Sequence, residues 1–248
     1  MKVDLINYTE NAVELLILAK RTRRLDIKNT MDEISNMSDE DRNKELDYIF
    51  NTISGPWEFV DYTFLISGVT RAFTHELVRQ RVGVSFAQES MRIANKEDFE
   101  YLDETNHPFY RTEMSNIQKT YSELISEGVP IQDARGILPT NILTKILMKI
   151  NLRALNNMMN VRLCTRAAGE YQRVAREIRR AVLDVHPWAD PVLLPFCVQN
   201  HRCRYPNHKD CPIKRKHSWL VSDGIALSVK TEARETWEQS CCASPQPK

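Results

Sequence analysis

Helices mixed with a few strands, packed round one sizeable core or two small ones, are what this sequence predicts, and three observations carry the prediction. Of its 248 residues 42% are hydrophobic and only seven are Gly, too apolar a balance for a disordered chain. Val60, Tyr62, Phe64 and Ile66 alternate with Asp61, Thr63, Leu65 and Ser67, the period of a strand with a buried face. Several longer stretches repeat their apolar residues at helical spacing.

A short strand opens the chain, where Val3 and Leu5 alternate with Lys2 and Asp4, and the apolar stretch Ala12 to Ala19 predicts a helix. Ser38 stands three residues before Asp41 as in a capping box. Leu46, Ile49, Phe50 and Ile53 then continue a helix until Gly55-Pro56 stops it. Beyond the strand at 60–67, Phe73, Leu77 and Val78 mark the inner side of a helix from Thr70 to about Arg81. Arg71, Glu76, Arg79 and Arg81 fall on its other side or end, and His75 reads as a packed or hydrogen-bonded histidine. Residues 95 to 108 read as a loop. Helices are expected at about 110–127, 140–162 and 167–185, the second with Ile142, Ile146, Leu147, Ile150, Leu155, Met158 and Met159 as its apolar side.

The charges nearly cancel: 34 Lys+Arg against 33 Asp+Glu leave +1, so no strong field for nucleic acid is implied. No run reaches the roughly 18 to 20 apolar residues that span a bilayer, and MKVDLINYTE lacks the apolar centre of a signal peptide. The expectation is a cytoplasmic protein without a membrane partner. Six cysteines are too few for a disulfide scaffold, so reduced thiols are expected.

The stretch richest in chemistry is Arg79-Gln80-Arg81-Val82-Gly83-Val84-Ser85-Phe86-Ala87-Gln88-Glu89-Ser90-Met91-Arg92. Its arginines can clamp a phosphate by paired hydrogen bonds, with serine hydroxyls as neutral donors; an extended loop would put Ser90 and Arg92 on one face. The same residues also suit a solvated basic helix end. Two later segments favour a site. Arg135 precedes a turn ended by Pro139, and the expected helix beyond carries Asn151, Arg153, Asn157 and Arg162 among apolar neighbours. Arg153 and Asn157 are four apart and share a helix face. Polar groups on an apolar helix cost stability unless satisfied, by a ligand or by an internal network.

Taken in order, these segments resemble the flavin-dependent thymidylate synthases, whose hallmark is Arg-His-Arg, seven residues, then Ser and shortly an Arg. The approach from Gly68 to Arg79, the Ala134-Arg135-x-x-Leu138-Pro139 turn and the Asn151-x-Arg153 segment leading to Arg162 are similar as well. The resemblance covers roughly residues 50 to 185. It implies an α+β fold with a small antiparallel sheet packed by helices, and a homotetramer whose sites lie where subunits meet. It also implies conversion of dUMP to dTMP with FAD, methylenetetrahydrofolate and NADPH. By position, Arg79, Gln80, Arg81, Asn151, Arg153 and Asn157 correspond to FAD contacts, and Glu76, Gln88, Glu89, Ser90, Arg92, Arg135 and Arg162 to nucleotide contacts. Arg162 corresponds to the arginine against the uracil ring, where a fixed positive charge makes the base nucleophilic.

The sequence departs from the family at four places. Gln80 replaces the middle His and cannot titrate. Eight residues, Val82 to Glu89, separate Arg81 from Ser90, so a one-residue bulge is expected. Phe59 stands where many members carry a flavin-contacting histidine, and Ile93 where Tyr is common. Such a relative can instead hydroxymethylate a pyrimidine nucleotide, which product analysis with dUMP and dCMP separates. Cys164, in Met-rich surroundings, reads as a buried structural cysteine and not a nucleophile.

Composition shifts near residue 190, which divides a catalytic domain, 1–190, from a Cys/His-rich, basic extension, 191–248. Cys197, Cys203, His208 and Cys211 offer four ligands to a zinc ion at a spacing unlike the standard fingers. Residues 202 to 216 hold six Lys/Arg against one Asp, which raises a reading of another class, a zinc-stabilised nucleic-acid-binding module. The balanced whole-chain charge and the scarcity of aromatics there weigh against nucleic acid.

Overall fold

A computed structural model of the chain describes residues 1–23, 31–200, 202–205, 207, 211, 235, 237 and 239. His208, among the positions read above, lies outside them. The order of elements is β1 (Lys2–Tyr8), α1 (Ala12–Arg21), α2 (Met31–Ser35), α3 (Asp39–Thr52), β2 (Asp61–Thr70), α4 (Arg71–Leu77) and β3 (Val84–Gln88). Then follow α5 (Pro108–Ser126), α6 (Ile131–Ala134), β4 (Leu143–Asn151), α7 (Leu152–Arg162), α8 (Gly169–Val185) and α9 (Phe196–Asn200). Short 3₁₀ turns occupy Gly55–Phe59, Arg135–Ile137 and Pro187–Val192.

The strands form one antiparallel sheet in the order β1-β2-β4-β3, so the fold is α+β with a small antiparallel sheet, as the family resemblance implies. Contacts divide the chain into two compact units, Met1–Arg42 with Gly55–Ala154, and Asn43–Ser54 with Leu155–Lys248. The sheet belongs to the first. Its centre is the β2–β4 ladder, where Tyr62 faces Ile150, Phe64 faces Met148 and Ile66 faces Ile146, all buried. Facing apolar pairs on one side of a pleat hold the register, because a one-residue slip turns every one of them over. Gly68, with φ 64°, sits where the β2 register shifts; a Cβ there would come within 3.0 Å of the Met1 backbone nitrogen.

The expected helix at 140–162 is corrected in its first half, which is strand β4. Thr144, Ile146, Met148 and Ile150 are buried while Lys145, Leu147 and Lys149 are exposed, a period of two. Leu147 on the outer face blurs that alternation in the sequence, and its apolar run of Ile146-Leu147-Met148 matches a helix equally well. The helix begins only at Leu152, where the Asn151 side-chain oxygen accepts the Ala154 N–H at 2.9 Å. The helix from Thr70 is also shorter than expected and stops at Leu77. Ser38 and Asp41 do form the cap of α3, with Asp41 N–H to Ser38 Oγ at 3.2 Å.

Phe64 tests this ladder, being wholly buried opposite Met148. Phe64→Ala should cost about 3–5 kcal/mol of stability in urea unfolding; a loss below about 1 kcal/mol would mean that the pair does not anchor the sheet.

Candidate active site

In the first unit, Thr70 closes β2 and opens α4 by accepting the Phe73 N–H on its hydroxyl at 3.0 Å. The short helix releases the chain early, and Arg79 and Gln80 leave it on turn hydrogen bonds to Glu76 and Leu77. Arg79 and Arg81 are exposed, and among the described residues their side chains take part in no ion pair. Gln80 donates to the Ala154 carbonyl at 3.4 Å. Gly83 comes next at φ 72°, and a Cβ on it would stand 2.6 Å from Asn151 Nδ2, so both conformation and space require glycine. The Asn151 N–H donates to the Gly83 carbonyl at 2.9 Å. Arg79-Gln80-Arg81 is thereby tied to the junction of β4 and α7, where Arg153 pairs with Glu58 at 2.5 Å. Five of the six flavin-contact candidates meet at this junction.

A second polar group gathers beside it in the same unit. Gln88 donates to Thr74 at 2.8 Å, and Glu89 takes Lys96 at 3.0 Å on one oxygen and the Thr144 hydroxyl at 3.2 Å on the other. Burial alone would raise the Glu89 carboxyl, but the hydrogen bond and charge of Lys96, the Thr144 hydroxyl and the charge of Lys145 outweigh it and hold the group below its ordinary value. Arg71 donates to the Glu89 carbonyl at 3.0 Å. Its guanidinium is destabilised by burial, supported by Glu89 and opposed by the nearby positive charge of Arg135. Arg71, Lys96 and Thr144 are absent from the candidates drawn from the sequence; position on the arginine-rich helix is the signal that marks Arg71.

The loop after β3 is not extended, which corrects the expectation for Ser90 and Arg92. The Ser90 carbonyl accepts N–H groups of Ile93 and Ala94 at 3.3 and 3.1 Å, and its hydroxyl accepts the Arg92 N–H at 3.3 Å, so the two residues sit in one tight turn. β3 itself pairs with β4 in step from Val84↔Ile150 to Gln88↔Ile146, without a bulge. Both Ser90 and Arg92 are exposed, Glu76 is half-buried on α4, and Arg135 donates from Nε to the Gln132 carbonyl at 3.0 Å. His75 is exposed and not packed.

The second unit carries the remaining candidates. Asn157 is exposed on α7, and the Arg162 guanidinium lies 4.0 Å above the Tyr171 ring at the end of that helix. Cys197, Cys203 and Cys211 line one cavity, and Cys164, half-buried, lines it with them.

Residues 4–188 match the family model described as thymidylate synthase complementing protein. The flavin-dependent thymidylate synthase of Clostridium tetani is 30% identical over 225 residues, covering 81% of this chain and 90% of that protein. The one of Sulfurisphaera tokodaii is 32% identical over 208 residues, covering 80% and 79%. The crystal structure of ThyX from Helicobacter pylori, complexed with FAD and dUMP, aligns with 78% of this chain and 100% of its own at a TM-score of 0.63 and 20% identity, a likeness of fold. A family model matched along most of the chain, and relatives this similar over four fifths of it, lead to one conclusion: the chain belongs to the flavin-dependent thymidylate synthases.

Proposed function

We propose that this protein methylates dUMP to dTMP with FAD as cofactor, taking the carbon from methylenetetrahydrofolate and electrons from NADPH. The observation that carries the reading is the family match over 4–188, which spans every flavin and nucleotide candidate. Residues 1–190 are then the catalytic domain and 191–248 an extension, in a cytoplasmic homotetramer. Exposed Phe59, Val82 and Ile93 support assembly: at 60%, 81% and 80% accessible they are apolar groups that a second copy would cover. Among the described residues no helix is long and apolar enough to cross a membrane.

The donor set fits a dinucleotide. Arg79 and Arg81 hold free guanidinium edges for phosphate oxygens, and Gln80, Asn151 and Arg153 of the same unit add amide and guanidinium donors; Asn157 joins them by the family resemblance alone. When bound, FAD supplies the electron transfer that turns the incoming carbon into a methyl group. The chain's residues bind and polarise. Arg71 and Arg135 with Ser90 and Arg92 suit the nucleotide phosphate, and Gln88 and Glu76 its polar edges. Glu89, kept ionised, can only accept hydrogen bonds and so suits an N–H or O–H of the nucleotide. Arg162 stabilises negative charge on the uracil ring, which makes its fifth carbon nucleophilic without an enzyme thiol.

The purified protein should be yellow, with about one flavin per chain, since cofactor sites are few per protein. Arg162→Ala should lower kcat for dUMP by about 10²–10³-fold while flavin absorbance is retained; loss of both together would overturn its assigned role. For Glu89 the sign of the pH effect is set by its lowered pKa. The ionised group stabilises the fold above the ordinary carboxylate value of about 4.3 and ceases to as pH falls through the lower, folded one. Urea melts should therefore show wild type more stable than Glu89→Gln at neutral pH, with the gap closing below roughly pH 4.

A further inference from the structure

Four cysteines from three separate stretches of the second unit meet at one cavity. Cys164 follows α7, Cys197 lies in α9, and Cys203 and Cys211 come from the chain beyond it. The cavity measures about 30 Å³ and is walled by these four with Val161, Pro195, Phe196, Arg204 and Tyr205, so its lining is largely sulfur and hydrocarbon. Asn160 and Thr165 also line it, and Asn160 Oδ1 and Thr165 Oγ1 are buried without a hydrogen-bond partner. Asn160 is only 7% accessible. Buried polar atoms without partners are exceptions in folded proteins and mark this wall as unfinished.

The Tyr205 N–H donates to Cys203 Sγ at 3.3 Å, and the Cys203 thiol donates to the Tyr205 carbonyl at 3.5 Å. Hydrogen bonds of this sort orient ligands and tune the metal they hold. Two cation–π contacts staple the segments round the cavity: Arg166 lies 4.5 Å from the Tyr205 ring centre and Arg204 lies 3.8 Å from that of Phe196.

Four thiolates gathered in one apolar place need a cation to neutralise their charge, and a divalent metal ion supplies it.

We propose that Cys164, Cys197, Cys203 and Cys211 bind a structural zinc ion as a four-thiolate site. The set replaces His208 of the sequence-derived ligands with Cys164, which the sequence reading set aside as a packing residue. Four sulfurs with no site left for water make a closed, tetrahedral, structural centre. A 30 Å³ space holds about two water-sized bodies and so takes a single ion, not an iron–sulfide cubane. Among the described residues no ready-made metal-ligand group is present, so ion binding draws the sulfurs together from the positions they share round the cavity. The zinc ties the extension to the end of α7, the helix whose last residue is Arg162.

The test is the metal content of the full-length protein, purified without a histidine tag, added metal or chelator. The expected result is about one zinc per chain. Exchange with cobalt should give the intense thiolate-to-cobalt charge-transfer absorption of a tetrahedral sulfur site. Cys164→Ser and Cys203→Ser should each weaken zinc binding by at least the roughly 10-fold to 100-fold that follows from losing a mere supporting contact. Cys241→Ser and Cys242→Ser should retain zinc in full. The cobalt spectrum of the wild-type chain decides the matter if a serine variant fails to fold. Wild-type protein that carries no zinc and takes up no cobalt, full zinc in Cys164→Ser, disulfides among the four cysteines, or iron with acid-labile sulfide in place of zinc would each overturn the assignment.

Discussion

Strand β4 has a hydrogen-bonded neighbour on each side, and the placement of the first unit's polar groups follows from that. Its buried face, Thr144, Ile146, Met148 and Ile150, cannot shift by one residue without putting Lys145 and Lys149 into the interior. With the register so held, the end of β4 is held too. Asn151 then does two things at one place: its side chain caps α7, and its backbone N–H donates to the Gly83 carbonyl. Gly83 is required because any larger residue would displace the Asn151 amide. The arginines before Gly83 are therefore located by apolar alternation several residues away from them.

Electrostatics complete the picture from the opposite direction. Arg79, Arg81 and Arg92 are left exposed and without ion pairs among the described residues, so their charge is available to an anionic ligand. Arg71 and Arg135 oppose each other, and Glu89 supports the charge of Arg71. Glu89 is itself held by Lys96 and Thr144, which fixes its position and keeps it ionised. Removing Lys96 would change the field around the carboxylate as well as a direct contact.

In the second unit arginines are held by aromatic rings. Arginine side chains lie over aromatic rings at Tyr171, Tyr205, Phe196 and Trp237, and between them they pin the end of α7, the loop beyond α9 and α8. Planar guanidiniums give up little hydration when stacked in this way, so they brace a region poor in regular structure. Arg179 adds an ion pair to Asp190 and a hydrogen bond to the Leu193 carbonyl.

By itself the sequence determined the strand at β2, the helices α1, α3, α5 and α8, and the order of the polar motifs, because those depend on periodicity and on residue type within a few positions. The same locality explains its errors. The stretch Leu143–Asn151 satisfies a helical period and a strand period alike, and only the ladders to β2 and β3 decide between them. Whether Ser90 and Arg92 lie on an extended segment depends on where the Ser90 carbonyl finds its donors. Only tertiary structure brings Arg71 to the Glu89 carbonyl and into the field of Arg135, or Cys164 to the cavity of Cys197, Cys203 and Cys211. These meetings join positions tens of residues apart, and loop closure leaves no mark on the residue pattern at either end.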